Sequence, residues 1–192
     1  MRDLLQEDFY AIYLLPLLLV VFLLVWLFYR RRATHGLSLS SVLSDIAYER
    51  VDGLVIPNVD EGEIQIDHLL LTAQGLLIID IKDVEGAVFG SDKMQEWTVI
   101  RNDRRFTFTN PQPALFDRIA AVRHIVREVP VAGRILFLDG AEFAKGVPGL
   151  VSTLQELQDE FGDRDKSAAK IKIEAFRQHW EALGASAVSG TN

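Results

Sequence analysis

The chain is 192 residues long and acidic, with 27 Asp and Glu against 20 Lys and Arg and a formal charge of −7. It has no cysteine, which excludes disulfides and thiolate metal sites. The charge balance speaks against nucleic-acid binding driven by net charge alone, and the positive mean hydropathy of +0.15 traces to one segment.

That segment is residues 9–29, FYAIYLLPLLLVVFLLVWLFY, which contains no charge. At about 1.5 Å rise per residue it spans roughly 30 Å, the thickness of a bilayer's hydrocarbon core. Phe9, Tyr10 and Tyr13 at one end and Trp26, Phe28 and Tyr29 at the other match an interfacial aromatic belt. Asp3, Glu7 and Asp8 precede the run and Arg30, Arg31 and Arg32 follow it, the reverse of a signal peptide. The sequence therefore predicts a single-pass transmembrane anchor. By the positive-inside rule the N-terminus lies outside and the rest in the cytoplasm, as in a bacterial inner membrane.

Residues 30–40 read as a basic and polar linker. In 38–50, SLSSVLSDIAYER, apolar Leu39, Val42, Leu43, Ile46 and Ala47 recur at helical steps. Asp45 and Glu49, four apart, would share a face of that helix, and Asp52-Gly53 would end it. LVIPNV, 54–59, reads as a short extended piece.

Two apolar strands follow, at about 63–71 and 76–82, joined by Thr72-Ala73-Gln74-Gly75. With Ala73-Gln74 as a two-residue loop, Leu71 pairs with Leu76, Asp67 with Asp80 and Gln65 with Lys82. Strand alternation then places these four polar residues on one face at the hairpin's open end, with directly opposed Cβ atoms roughly 5 Å apart. Two carboxylates so close repel, and one is driven towards its protonated form unless a cation offsets them. Lys82 offers part of that charge, and Mg²⁺, which accepts one or two carboxylates plus phosphate oxygens, offers more. A plain Asp–Lys ion pair at a sheet edge is the other reading.

Downstream, Gly86, Gly90 and the Asn102-Asp103 turn punctuate two or three short strands, with Arg101, Arg104 and Arg105 at a hairpin tip. A helix over 111–128 carries Leu115, Ile119, Val122 and Val126 on one face. Arg118, Arg123 and Arg127 also recur along it, either lining a nucleic-acid groove or as surface charge. RILFLD, 134–139, reads as a strand buried on both sides. A helix from Pro148 to Gly162 and another at 165–183 complete an α/β chain, and the tail 184–192 reads as disordered.

The run IDHLLLTAQGLLIIDIKDVEGAVFG (66–90), EWT (96–98) and TNP (109–111) resembles the nuclease-related domain, or NERD, family. The resemblance implies a domain over about 41–140, with 141–183 as a helical extension. It also implies a mixed-sheet PD-(D/E)xK, restriction-endonuclease-like fold and metal-dependent hydrolysis of DNA or RNA. Asp67 and Asp80 would hold Mg²⁺, Lys82 would complete the catalytic set, and His68 would be packed or hydrogen-bonded on the opposite face.

The sequence departs from the family at several positions. Asp80 stands where glutamate is usual, and Gln65 where many members carry an acid. The first-helix acid is absent from LSLSSV, leaving Asp45 and Glu49 as possible supporting groups. Ala114 occupies the spacing of a glutamine that often follows asparagine-proline. These departures keep open a second expectation, a degraded site that binds nucleic acid or protein at the membrane.

Overall fold

A computed structural model describes residues 19–23, 37–58, 62–162 and 166–187. The chain divides into two compact units, Met1–Ser38 and Leu39–Asn192. Within the first, residues 19–23 are helical with exposed side chains. The rest of the predicted anchor, 9–18 and 24–29, lies outside the described residues, as does most of the tail. Among the described residues, no helix is long and apolar enough to cross a membrane.

The second unit is built on two mixed sheets. One has the order β1-β2-β3-β7-β9, from β1 (Glu49–Pro57), β2 (Glu63–Thr72), β3 (Gly75–Lys82), β7 (Val131–Phe137) and β9 (Val151–Ser152). The other runs β6-β5-β4-β8, from β4 (Gly86–Phe89), β5 (Glu96–Arg101), β6 (Arg104–Thr109) and β8 (Ala141–Phe143). In the first sheet β1, β2 and β3 are antiparallel, whereas β3, β7 and β9 are parallel. Of the parallel strands, β3 is a near-continuous run of Leu and Ile because both its faces are covered. This mixed α/β arrangement fits a restriction-endonuclease-like fold.

The helices are α1 (Leu39–Ile46), α2 (Gln112–Ile125), α3 (Leu154–Phe161) and α4 (Lys166–Ala185). On α2, Leu115, Ile119 and Val122 are buried at i, i+4 and i+7, the predicted face. They share one core with Leu69, Leu71, Leu76 and Ile78 of the hairpin and with Ile173, Trp180 and Leu183 of α4. Trp97 of β5 is fully buried in the same core, and its indole N–H donates to the Ser91 carbonyl at 3.2 Å. A Cβ on Gly90 would lie 2.5 Å from the Trp97 ring, so glycine is needed there.

Several boundaries differ from the sequence reading. The first helix stops at Ile46, and Glu49 opens β1. Asp52-Gly53 lies inside that strand, with Gly53 at φ 67°. There the buried positions step by three, so that Val51 and Leu54 on β1, and Ile66 and Leu69 on β2, all join the core. A single left-handed glycine shifts the alternation where a turn was expected. Pro148 does not start a helix. Thr153 does, through a capping box: its Oγ1 accepts from the Glu156 N–H at 3.2 Å and its own N–H donates to Glu156 Oε2 at 2.9 Å. Between them lies β9, and β8 precedes it. β8 extends the second sheet and β9 the first.

Candidate functional site

The hairpin keeps the predicted register as far as its ladder runs, and the expected Asp67–Asp80 and Gln65–Lys82 pairs lie beyond it. Leu71 pairs with Leu76, and the ladder runs to His68 opposite Ile79. At the turn, Thr72 Oγ1 donates to the Gly75 carbonyl at 2.9 Å. Gly75 has φ 125°, and a Cβ there would lie 2.3 Å from the Pro130 carbonyl, which accepts from the Leu76 N–H at 2.9 Å. Only glycine permits that approach, which sets β3 in place beside β7.

Asp67 and Asp80 follow the last ladder pair, one on each strand. Asp67 is exposed. Asp80 is only 2% exposed, because β7 covers one side of it and α2 packs over the sheet. Arg118 of α2 bridges the two strands where the ladder stops. Its Nη1 donates to Asp80 Oδ2 at 2.8 Å and its Nε to the Gln65 carbonyl at 2.7 Å. The sequence grouped Arg118 with Arg123 and Arg127 as one row. In the structure Arg118 serves the acid instead, while Arg123 donates to the Val131 carbonyl at 2.8 Å.

Among the described residues, Asp80 Oδ1 has no hydrogen-bond partner although it is buried. Burial pushes the Asp80 carboxyl above its ordinary value. Arg118 and Lys82 oppose that shift, and Asp67 adds to it. Repulsion between the paired acids was the expected cause. Desolvation outweighs it, because Asp67 stays in water while Asp80 does not.

Asp80, Lys82 and Arg118 line a cleft of about 510 Å³ at the carboxyl end of β3, with Phe106 and Phe108 of β6 as its apolar wall. Ligand sites in α/β sheets favour that end of the strands. Lys82 is half-buried there. Asp67 is not among the residues lining the cleft. An unpaired buried carboxylate oxygen beside an exposed second carboxylate suits Mg²⁺, which needs one or two protein carboxylates and keeps several waters. Among the described residues, no group of three or more His, Asp or Glu is placed to hold a metal.

The other predicted residues have structural partners. Gln65 is exposed, and its amide lies 3.5 Å from Asp67 Oδ1. His68 is hydrogen-bonded, as expected, with Nδ1 2.6 Å from Asp52 Oδ1 on the neighbouring strand. Arg50, and then His68, hold the Asp52 carboxyl below its usual range. Asp45 accepts from Gln158 Nε2 at 3.0 Å on α3. Glu49 takes Arg177 Nη1 at 2.6 Å and pairs in register with Leu71. Leu71 stands four residues along β2 from Asp67, roughly 13 Å at strand rise. Glu49 and Asp45 therefore share no helix face.

Sequence reasoning missed a polar network behind the cleft, centred on buried Asn110 and Gln112. Asn110 Oδ1 accepts from the Gln112 N–H at 2.9 Å, opening α2. Gln112 Nε2 donates to Asp92 Oδ1 at 2.8 Å and to the Gly149 carbonyl at 2.5 Å. With the Gly149 N–H also donating, Asp92 is held below its ordinary pKa. The Asn-Pro pair was the available signal, since an asparagine before a helix seeks a backbone donor. Ala114, one turn on, lines the cleft.

The family model described as nuclease-related domain matches residues 32–138, more than half of the chain. An uncharacterized protein of Bacillus anthracis is 28% identical over 64 residues, covering 33% of this chain and 30% of that protein. The chain thus spans less than a third of that relative's length. No solved structure matches.

Proposed function

Because the chain belongs to the nuclease-related domain family, we propose that the cleft at the end of β3 is the site of a metal-dependent phosphodiester hydrolase acting on DNA or RNA. The observation that carries this reading is Asp80 Oδ1, buried and without a partner among the described residues, in a cleft with Lys82 and Arg118. Asp80 and Asp67 would hold Mg²⁺. When bound, the ion supplies a Lewis acid and an activated water. Arg118 fixes Asp80 by occupying Oδ2, which leaves Oδ1 as the free acceptor. Lys82 presents its ammonium to the phosphate and stabilises the negative charge that develops there. Phe106 and Phe108 shield one wall from water and strengthen both interactions. The uncharged stretch 9–29 tethers this domain to a membrane, with Arg30–Arg32 holding it on the cytoplasmic side.

One observation favours a second reading. The Arg118 guanidinium already neutralises Asp80, as a metal would. The cleft would then bind nucleic acid or a protein partner without cutting. Calorimetry of the full chain in detergent with Mg²⁺ and Mn²⁺, run beside a cleavage assay on labelled DNA and RNA, separates the two. The hydrolase reading expects binding heat that Asp80→Asn abolishes, and cleavage that Lys82→Ala abolishes. No heat, or full cleavage in both variants, overturns it. Oligonucleotide binding without heat or cleavage supports the second reading.

A further inference from the structure

We propose that one face of β6 is a single-stranded nucleic-acid track leading into the acidic cleft, with Phe106 as its base-stacking platform and Arg104 as its phosphate contact. This rests on reading the cleft as a nucleic-acid site. Side chains alternate along a strand, so Arg104, Phe106 and Phe108 share one face of β6. Their partners on β5, Arg101, Val99 and Trp97, face the same way.

Phe106 joins two concavities. It bounds the cleft that holds Asp80, Lys82 and Arg118, and it bounds a second one of about 430 Å³ lined by Arg101, Asn102 and Arg104. It is 45% exposed, whereas Trp97 and Val99 beside it are fully buried. The core covers that face at one end and leaves the aromatic bare at the other.

The charge along the track is local and positive. Arg104 makes no ion pair among the described residues, whereas Arg101 is paired with Glu85. Inside the cleft Lys82 carries the positive charge on, while Arg118 is paired with Asp80. The chain as a whole carries −7, so this strip complements a polyanion where the rest of the surface does not. An unpaired arginine next to an exposed phenylalanine on one strand face is the chemistry of single-strand binding, in which cations follow phosphates and aromatic faces take up unstacked bases. Duplex bases are already stacked on one another and have no free face to offer a ring standing on a strand.

The test is fluorescence anisotropy of the full chain in detergent with labelled oligothymidylate and with a duplex of equal length. Chelator is present throughout, so binding is read without cleavage. The expected result is preference for the single strand. Phe106→Ala should weaken that binding by about 5- to 150-fold, the range of one lost base stack. Phe106→Trp should restore it. Arg104→Ala should flatten the logarithmic salt dependence by about 0.7. Circular dichroism checks that each variant is folded. The track is overturned if the parent does not bind the single strand, or if Phe106→Ala binds as tightly as the parent. It is also overturned if Phe106→Ala turns an oligomer into a monomer with unchanged nucleic-acid affinity, since the occupant would then be a second copy. Binding that responds as expected, with no metal-dependent cleavage in a parallel assay, would refute hydrolysis and leave the track standing.

Discussion

Arg118 donates to Asp80 Oδ2 at 2.8 Å, tying the central helix to the second strand of the hairpin. The Asp80 side chain is 3% exposed and that of Arg118 is 20% exposed. Arg118→Met would leave a buried carboxylate with neither oxygen paired. Breaking such a pair from one side costs about 3–5 kcal/mol, and the residual exposure of Arg118 places this case at the lower end. In urea denaturation, Arg118→Met should be markedly less stable than the parent, and adding Asp80→Asn should recover part of the loss. If the double variant is no more stable than Arg118→Met, the two groups are not coupled.

The raised pKa of Asp80 gives a stability slope of definite sign. Its ordinary value is 3.8, and burial lifts it in the folded chain. Between the two values the folded state holds a proton that the unfolded state has released. The contribution of Asp80 to stability therefore falls as pH rises through that window and is level above it. Thermal unfolding of parent and Asp80→Asn, compared from about pH 4 upward, should show the parent losing ground with rising pH. A flat or rising difference would show that burial does not govern this carboxyl. Mg²⁺ should remove the slope if Asp80 is a ligand, because a bound cation displaces the proton.

The hairpin was legible because its information is local. A two-residue loop between apolar runs sets the register from Thr72 opposite Gly75 to His68 opposite Ile79. The buried face of α2 was legible for the same reason, since its periodicity lies within one element. Arg118 was not, because its partner Asp80 is 38 positions away and nothing near either residue marks the pair. Glu49 was misplaced for a related reason: its ion-pair partner, Arg177, lies 128 positions away. Gly53 misled differently. Asp-Gly stops a helix or makes a turn more often than it shifts a strand, and only the facing strand decides which. The strands β8 and β9, three and two residues long, are too short to carry an alternation.

Gln112 is a further place where a buried polar group can be tested. Its amide is 4% exposed and joins Asp92 to Gly149, anchoring the loop that leads to β9. Gln112→Leu keeps the apolar volume but strips the Gly149 carbonyl of its side-chain donor. The Gly149 backbone and Asp92 are exposed and regain water, so the loss is the net worth of the hydrogen bond to the Gly149 carbonyl, about 0.5–1.5 kcal/mol. Hydrogen exchange should show the loss concentrated at residues 149–152, with the β2–β3 hairpin unaffected. Uniform loss across both sheets would mean that Gln112 acts on the whole core rather than on this loop.

Gly133 seats the helix that carries Arg118. A Cβ on Gly133 would lie 2.8 Å from Leu115 Cδ1 and 2.8 Å from Ile119 Cδ1, both on α2. Arg118 stands three residues on from Leu115, at the rim of the buried face, so a small outward shift of the helix withdraws its guanidinium from Asp80. Gly133→Val should cost about 1–3 kcal/mol in urea denaturation through overpacking. It should also move the Asp80 titration window upward, because Arg118 is the largest cause holding that pKa down. The two readouts separate the explanations. Lost stability with an unmoved window means that β7 or the side chains yield and the helix stays. Parent-like stability means that the Leu115 and Ile119 termini swing aside. Only the paired change shows that the close approach of α2 to β7 is what holds Arg118 against the acid.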